Sequence, residues 1–253
     1  AIRLQYSRDD EFRWEPFGSA MAMQTRATLD DQGLIQDWQY HVWSCTHSTR
    51  PAGTAGAGNL LAAQLIEKKV PQPAARNMSQ PTGGGDRNAI PLYSFPNMRI
   101  HKHFISEMPI RVSALRTLGG YGNIFAIESF MDELAAHAGK DPLEYRIEHL
   151  QDERAIEVLH QLAEISHWKE PKSERSLGRG IGFARYKNSA AYCAVVMHVR
   201  VDTKTGSIKL EKAYSVVDAG QVVNPDGVIN QIEGGIVQGA SWTMKEQIRF
   251  SNM

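Results

Sequence analysis

The stretch Asp218-Ala-Gly-Gln-Val-Val-Asn224-Pro225-Asp-Gly227-Val-Ile-Asn-Gln231-Ile-Glu-Gly234-Gly235-Ile-Val-Gln238-Gly239 decides how this chain is read. Asn224 is an N-cap and Pro225 a first helical residue, so a helix is expected from there to Gly239. Val228, Ile229, Ile232 and Ile236 form one apolar stripe along it. Gly227, Gln231, Gly234 and Gln238 form a second, and the two lie well over 90° apart at about 100° per residue. Glycine inside a helix costs about 1 kcal/mol against alanine. That cost is borne where something must approach the main chain closely. A solvated face would use Lys and Glu, whereas glutamine amides offer donors and acceptors without charge. A Gly/Gln face suits a flat, heteroatom-rich guest, and the helix N-terminus suits a phosphate. The competing reading is close packing of this helix against another backbone through glycine.

The composition narrows the classes. The 253 residues carry 28 Lys+Arg and 28 Asp+Glu, which disfavours a nucleic-acid binder resting on a basic face. Cys45 and Cys193 are the two cysteines, too few for a disulfide framework or a Cys-rich zinc or iron–sulfur site. The aliphatic run Ala194–Met197 is far short of the roughly 20 residues that span a bilayer. The chain opens on Ala1 directly in a strand-like run, so further sequence is expected upstream. Free thiols fit the cytoplasm without deciding between it and the periplasm.

Residues 1–50 read as strands. Ala1–Tyr6 alternates, Met21–Leu29 alternates, and Asp30-Asp-Gln-Gly33 is a hairpin turn leading into Leu34–Ser44. Residues 46–90 are irregular, with a short helix around Asn59–Lys69, and Ile90–Leu115 is extended. Then the period changes. Asn123 reads as the N-cap of a helix carrying Ile124, Ile127, Met131, Leu134 and Ala138, closed by Gly139. Asp141-Pro142 opens a second helix, and a third covers about 153–166. Residues 169–180 read as a connector. Cys193–Asp202 and Ser207–Asp218 are paired strands, and Thr243–Phe250 reads as a last strand. Strands and helices in separate blocks predict an α+β fold of antiparallel sheets with helices packed on one face, as two-layer sandwiches. The expected division is a strand-rich part, 1–115, and a helix-and-strand part, 116–253.

A second segment carries chemistry. Ser113-Ala-Leu-Arg116-Thr-Leu118-Gly119-Gly120-Tyr-Gly122-Asn123 is a Gly-rich turn entering a helix, a geometry that binds anions or oxo groups. It lacks the G-x-G-x-x-G spacing of a dinucleotide fingerprint. Arg116 is a candidate anchor for a phosphate or carboxylate. Arg87, beside Gly83-Gly84-Gly85, is a candidate for an anionic substrate or an anchor of its turn. Glu128 reads as an arginine partner rather than a base. His101 and His103 share a strand face, a thin metal signal.

Three blocks resemble the large, molybdopterin-binding subunit of the molybdenum hydroxylases, the xanthine dehydrogenase and aldehyde oxidase family. They are Arg111–Arg146 with Leu115-Arg-Thr-Leu-Gly-Gly120, Gly178-Arg-Gly-Ile-Gly182 with its strand 194–202, and Asp218–Glu246. Within that family the chain is similar to the isoquinoline 1-oxidoreductase and nicotinate dehydrogenase type, over nearly its whole length. The resemblance implies a molybdopterin-binding-domain fold. It also implies a molybdenum–pterin cofactor, molybdopterin or its cytosine dinucleotide, held without side-chain metal ligands. It implies oxidation of an N-heteroaromatic or aldehyde with water-derived oxygen and a glutamate base. A small 2Fe-2S subunit would take the electrons. By position it places Arg116, Gly119, Gly120, Gln231, Gly234 and Gln238 at the cofactor, and Leu118 and Arg87 toward the substrate. The glutamate loop of that family is absent, so no catalytic residue is expected within this chain, which reads as the middle of a longer subunit and as inactive alone. The rival reading is a non-catalytic α+β interaction or assembly module.

Overall fold

Asp30-Asp-Gln-Gly33 reverses the chain as its composition predicts: Asp30 accepts from the amides of Gln32 and Leu34, and Gly33 takes φ +78°. On either side run β1 (Met21–Leu29) and β2 (Ile35–Ser44), an antiparallel pair with Thr25 opposite Tyr40. A computed structural model describes residues 1–50, 53–108, 110–170 and 176–249. The remaining elements are α1 (Arg8–Trp14), α2 (Ala62–Leu65), β3 (Asn97–Phe104), α3 (Gly120–His137), α4 (Pro142–Glu148) and α5 (Glu153–Ile165). They continue with β4 (Leu177–Arg185), β5 (Tyr192–Val201), β6 (Ile208–Asp218) and α6 (Pro225–Met244). The fold is α+β, as expected.

The chain forms two compact units, 1–151 with 186–188, and 152–185 with 189–253. The division falls at 151/152 rather than at the expected 115/116. The reason is that α3 packs on β1 and α4 on α3, so both helices belong to the first sheet. In that unit β3 joins β2 in parallel, with Tyr40 opposite Ile100, so this sheet is mixed where an antiparallel one was expected. Trp38, Tyr40 and Val42 of β2 and Ile127 and Met131 of α3 are all buried, and the Trp38 ring lies 5.4 Å from that of Phe130 of α3. Arg146 is fully buried there, paired with Glu128 at 2.9 Å and Asp132 at 2.7 Å, and Tyr93 Oη donates to Glu128 at 2.8 Å. Glu128 is thus an arginine partner.

In the second unit β4, β5 and β6 form an antiparallel sheet, and α5 packs on β5 and β6. Val158, Leu159 and Leu162 of α5 are buried, as are Ile181 and Phe183 of β4 and Ala194 and Val196 of β5. Asp152 caps α5, accepting from the amides of Arg154 and Ala155. Arg154 grips Asp218 at the end of β6 with two hydrogen bonds of 2.8 and 2.7 Å.

Four expectations are corrected. Ala1–Tyr6 is no strand: Ile2 and Leu4 are exposed, and a capping box between Ser7 and Asp10 starts α1 instead. Asn123 is not an N-cap, because α3 begins at Gly120 and swallows it into its first turn. β4 begins at Leu177, inside the expected connector, its alternation hidden by glycines at 178, 180 and 182. The expected strand 243–250 is not formed among the described residues. Instead α6 continues to Met244, and Phe250 lies outside them. Elsewhere the caps hold. Gly139 at φ +67° ends α3 with Lys140 N–H bonded to Ala135 C=O, and Asp141 and Asn224 cap α4 and α6.

Candidate functional site

Three short loops of the first unit meet around Asn88: residues 83–88, 116–120 and 186–188. Gly119 N–H donates to Gly84 C=O at 3.1 Å, and a Cβ on Gly119 would stand 2.5 Å from the oxygens of both Gly84 and Gly85. Here only glycine fits. Asn88 Oδ1 accepts from Lys187 N–H at 3.0 Å and lies 3.5 Å from where a Gly120 Cβ would be. Asn88 Nδ2 donates to Asn188 Oδ1 at 3.1 Å. Arg87 is buried and anchors its turn: Nε donates to Thr82 C=O at 2.8 Å, Nη2 to Gly83 C=O at 3.1 Å, and Nη1 to Tyr186 Oη at 2.6 Å. Of the two roles considered for Arg87, the geometry matches the anchor, and any effect on substrate passes through the loop.

These loops are strained. Gly83, Asn88, Thr117, Leu118, Lys187 and Asn188 all take φ between +52° and +71°. Thr117 is β-branched and for it this is a true outlier. Its hydroxyl is buried without a hydrogen-bond partner among the described residues. Such strain persists where the surroundings over-determine it, and it clusters at functional sites. Asn123 is the fastener underneath. It is fully buried, its Nδ2 donates to Gly85 C=O and Arg87 C=O at 2.8 Å each, and its Oδ1 accepts from Tyr40 Oη at 2.7 Å. Asp86 accepts from Lys102 at 2.6 Å and from the Gly84 amide at 3.1 Å.

One expectation of this turn is corrected. Its amides are not open to an anion, because those of Leu118, Gly119 and Gly120 bond to Leu115, Gly84 and Thr117 carbonyls. What the turn displays outward is side chain: Arg116 is exposed and Leu118 half-buried. Asn88, Tyr186, Lys187 and Asn188 were not among the expected site residues, and the last three are marked in the sequence by a polar interruption, Tyr-Lys-Asn-Ser, between apolar strands.

The second unit carries the other candidates, on α6. No residue of this helix is buried. Gln231 and Gly234 are exposed and Gln238 is half-buried. A Cβ added at Gly234 or Gly239 would meet nothing within 4 Å among the described residues. The Gly/Gln face presents bare main chain and amides, which fits a flat, polar group. The two kinds of glycine therefore differ: Gly119 is packed, Gly234 is open. Among the described residues no group of three or more His, Cys, Asp or Glu is arranged to hold a metal ion, and no helix is long and apolar enough to cross a membrane. His41 stacks on both His101 and His103, its Nδ1 lies 2.9 Å from His103 Nε2, and Trp43 stacks on His103.

α6 exposes Gln231 and Gly234, and among the described residues no side-chain cluster is arranged to hold a metal ion. Two models of the molybdopterin cofactor-binding domain match the chain, over residues 79–150 and 119–253. The chain belongs to the molybdopterin cofactor-binding domain family. It is 34% identical, over 98% of its length, to a nicotinate dehydrogenase subunit of Pseudomonas putida, of which it covers 21%. It is 27% identical, over 99% of its length, to the beta subunit of the isoquinoline 1-oxidoreductase of Brevundimonas diminuta, of which it covers 30%. The chain therefore spans less than a third of these two relatives. Among solved structures, the aldehyde oxidoreductase of Desulfovibrio desulfuricans superposes with a TM-score of 0.61 at 14% identity, over 88% of this chain and 39% of that one. That likeness is one of fold.

Proposed function

We propose that this chain is part of the catalytic subunit of a molybdenum hydroxylase that oxidises an N-heteroaromatic or aldehyde substrate. The observation that carries the reading is the Gly/Gln face of α6, where a Cβ on Gly234 would meet nothing within 4 Å among the described residues. In this reading Gln231, Gly234 and Gln238 hold the molybdenum–pterin cofactor. Gln231 and Gln238 supply amide hydrogen bonds, and Gly234 lets the planar group approach the main chain. When bound, that cofactor supplies the redox chemistry and an activated water-derived oxygen. Arg116 lies toward the cofactor and Leu118 toward the substrate in the 116–120 turn, and Arg87 and Gly119 hold that turn in place. The electrons leave to an iron–sulfur partner, in keeping with relatives that are named as subunits of larger assemblies.

The decisive experiment uses the complete polypeptide with its natural neighbours. Denaturing it should release a pterin that fluoresces after oxidation, together with molybdenum detected by mass spectrometry. A complete, folded assembly containing neither would end this reading in favour of a non-catalytic module.

A further inference from the structure

We propose that His41 and His103 form an acid-released tie across the outer face of the first sheet, a pair that holds at most one added proton. Along β2 the buried residues are Trp38, Tyr40 and Val42, so His41 and Trp43 stand on the opposite face. The parallel register sets His101 beside His41 and His103 beside Trp43. The His41 ring stacks on His101 at 4.7 Å and on His103 at 5.2 Å, and Trp43 closes the row on His103 at 4.5 Å. Within the row His41 Nδ1 lies 2.9 Å from His103 Nε2. A hydrogen bond of that length needs one N–H and one lone pair. With both rings protonated, each of those nitrogens carries a hydrogen, and two cations meet head to head.

The surroundings add to that repulsion. Desolvation, then the charges of His101, His103 and Arg26, hold the His41 imidazole below its ordinary value of 6.5. The charged residues sharing this face among the described residues are Arg26 of β1, Asp37 of β2 and Arg99 of β3, and Asp37 faces Arg99 at 3.8 Å. Gln24 stands opposite His41 on β1 and Ala22 opposite Trp43, so neither of these positions supplies a carboxylate to offset a second proton. Acid therefore sets like charges across the β2–β3 pairing, and β3 is the edge strand of its sheet. Opening of the pair takes up the proton that the closed pair refuses. The tie is thus complete above about pH 6.5 and is lost as pH falls below it. The consequence reaches the loops. Lys102 lies between His101 and His103 in β3 and holds Asp86 of loop 83–88 at 2.6 Å. The strand that acid loosens is the strand that pins that loop.

Hydrogen–deuterium exchange of the complete polypeptide, read by mass spectrometry on peptides covering 97–104, tests the tie. His47, buried in the same unit, titrates as well, so the reading is the difference between the parent and His41→Phe, which keeps a ring in the row and removes the titrating nitrogens. Corrected for the intrinsic effect of pH, protection of β3 should fall about fivefold or more further in the parent than in His41→Phe between about pH 7.5 and pH 5, the cost of one like-charge contact in water-like surroundings. His41→Gln should behave as His41→Phe does. His101→Gln should shrink the parent's fall in part, since one of three like charges is gone. Peptides of β5 and β6 should show no such difference. A merely structural His41 would lower protection at both pH values in the variants and leave the fall unchanged. An equal fall in the parent, His41→Phe and His41→Gln would overturn the proposal, as would a difference of the same size in β5 and β6.

Discussion

Asn123 donates its side-chain amide to the Arg87 carbonyl oxygen at 2.8 Å, from inside the first turn of α3. The same amide holds Gly85 C=O, and its oxygen takes the hydroxyl of Tyr40 on β2. One buried side chain thus ties helix, sheet and loop 83–88 together, and every one of its polar bonds to them is made away from water. Replacing it with alanine strands two carbonyls and a hydroxyl. Asn123→Ala should destabilise the protein by about 3 kcal/mol or more, since each buried unsatisfied group costs about 1–3 kcal/mol. Urea denaturation checks this, and a loss under about 1 kcal/mol would mean that water reaches the cluster.

Gly119 and Gly234 should respond to alanine with opposite signs. At 119 the new methyl would stand 2.5 Å from two carbonyl oxygens, so the loop must move, at a cost of about 1–3 kcal/mol. At 234 nothing stands within 4 Å, and the helix should gain about 0.5–1 kcal/mol. Thermal denaturation reads both. If Gly234 serves the cofactor, Gly234→Ala in the complete enzyme should lower molybdenum content while raising stability. Gln231→Ala should lower it with the fold unchanged. Full molybdenum content in both variants would remove α6 from the cofactor site.

Arg146 and Glu128 are a buried pair, and removing one member leaves the other charged in a dry core. Arg146→Met should cost about 3–5 kcal/mol. Adding Glu128→Gln to that variant should recover part of the loss, because the stranded carboxylate is gone. A double-mutant cycle measures the coupling, and strict additivity would show that the two side chains act independently.

His47 sets a pH dependence. It is buried against Ser44 at 2.8 Å, and burial, together with the positive charges of Lys102 and Arg87, pushes its imidazole down to about 4. The folded protein holds it neutral, while the unfolded chain protonates it near the ordinary value of 6.5. The unfolded state binds the extra proton between those values, so stability is full above about pH 6.5 and falls as pH drops toward 4. His47 alone should account for about 3 kcal/mol of that fall. Denaturation at about pH 4.5 and pH 7 should show a smaller difference in His47→Gln, and an unchanged difference would assign the effect to other groups.

Local chemistry made much of the fold legible in the residues alone. The turn at Gly33, the caps Asp141 and Asn224, the stop at Gly139 and the period of α5 each depend on a few neighbours in the chain, so their residue types are sufficient evidence. The Gly/Gln stripe of α6 was legible for the same reason, since two helical faces follow from spacing alone. Ala1–Tyr6 had the alternation of a strand and no partner to pair with among the described residues, which a pattern cannot reveal. β4 had a partner in β5 and too little side chain to show a pattern.

The distinction between Gly119, packed to the limit, and Gly234, standing open, lies entirely in the atoms that the tertiary fold brings near. So does the placement of Asn88 beside Lys187 across 99 residues of chain, and the conversion of Asn123 from an expected cap into a buried fastener. Sequence order states which groups exist and which local shapes they favour. Contacts between distant loops depend on how sheets and their helices bury apolar surface, an energy shared among many residues and written in no single one.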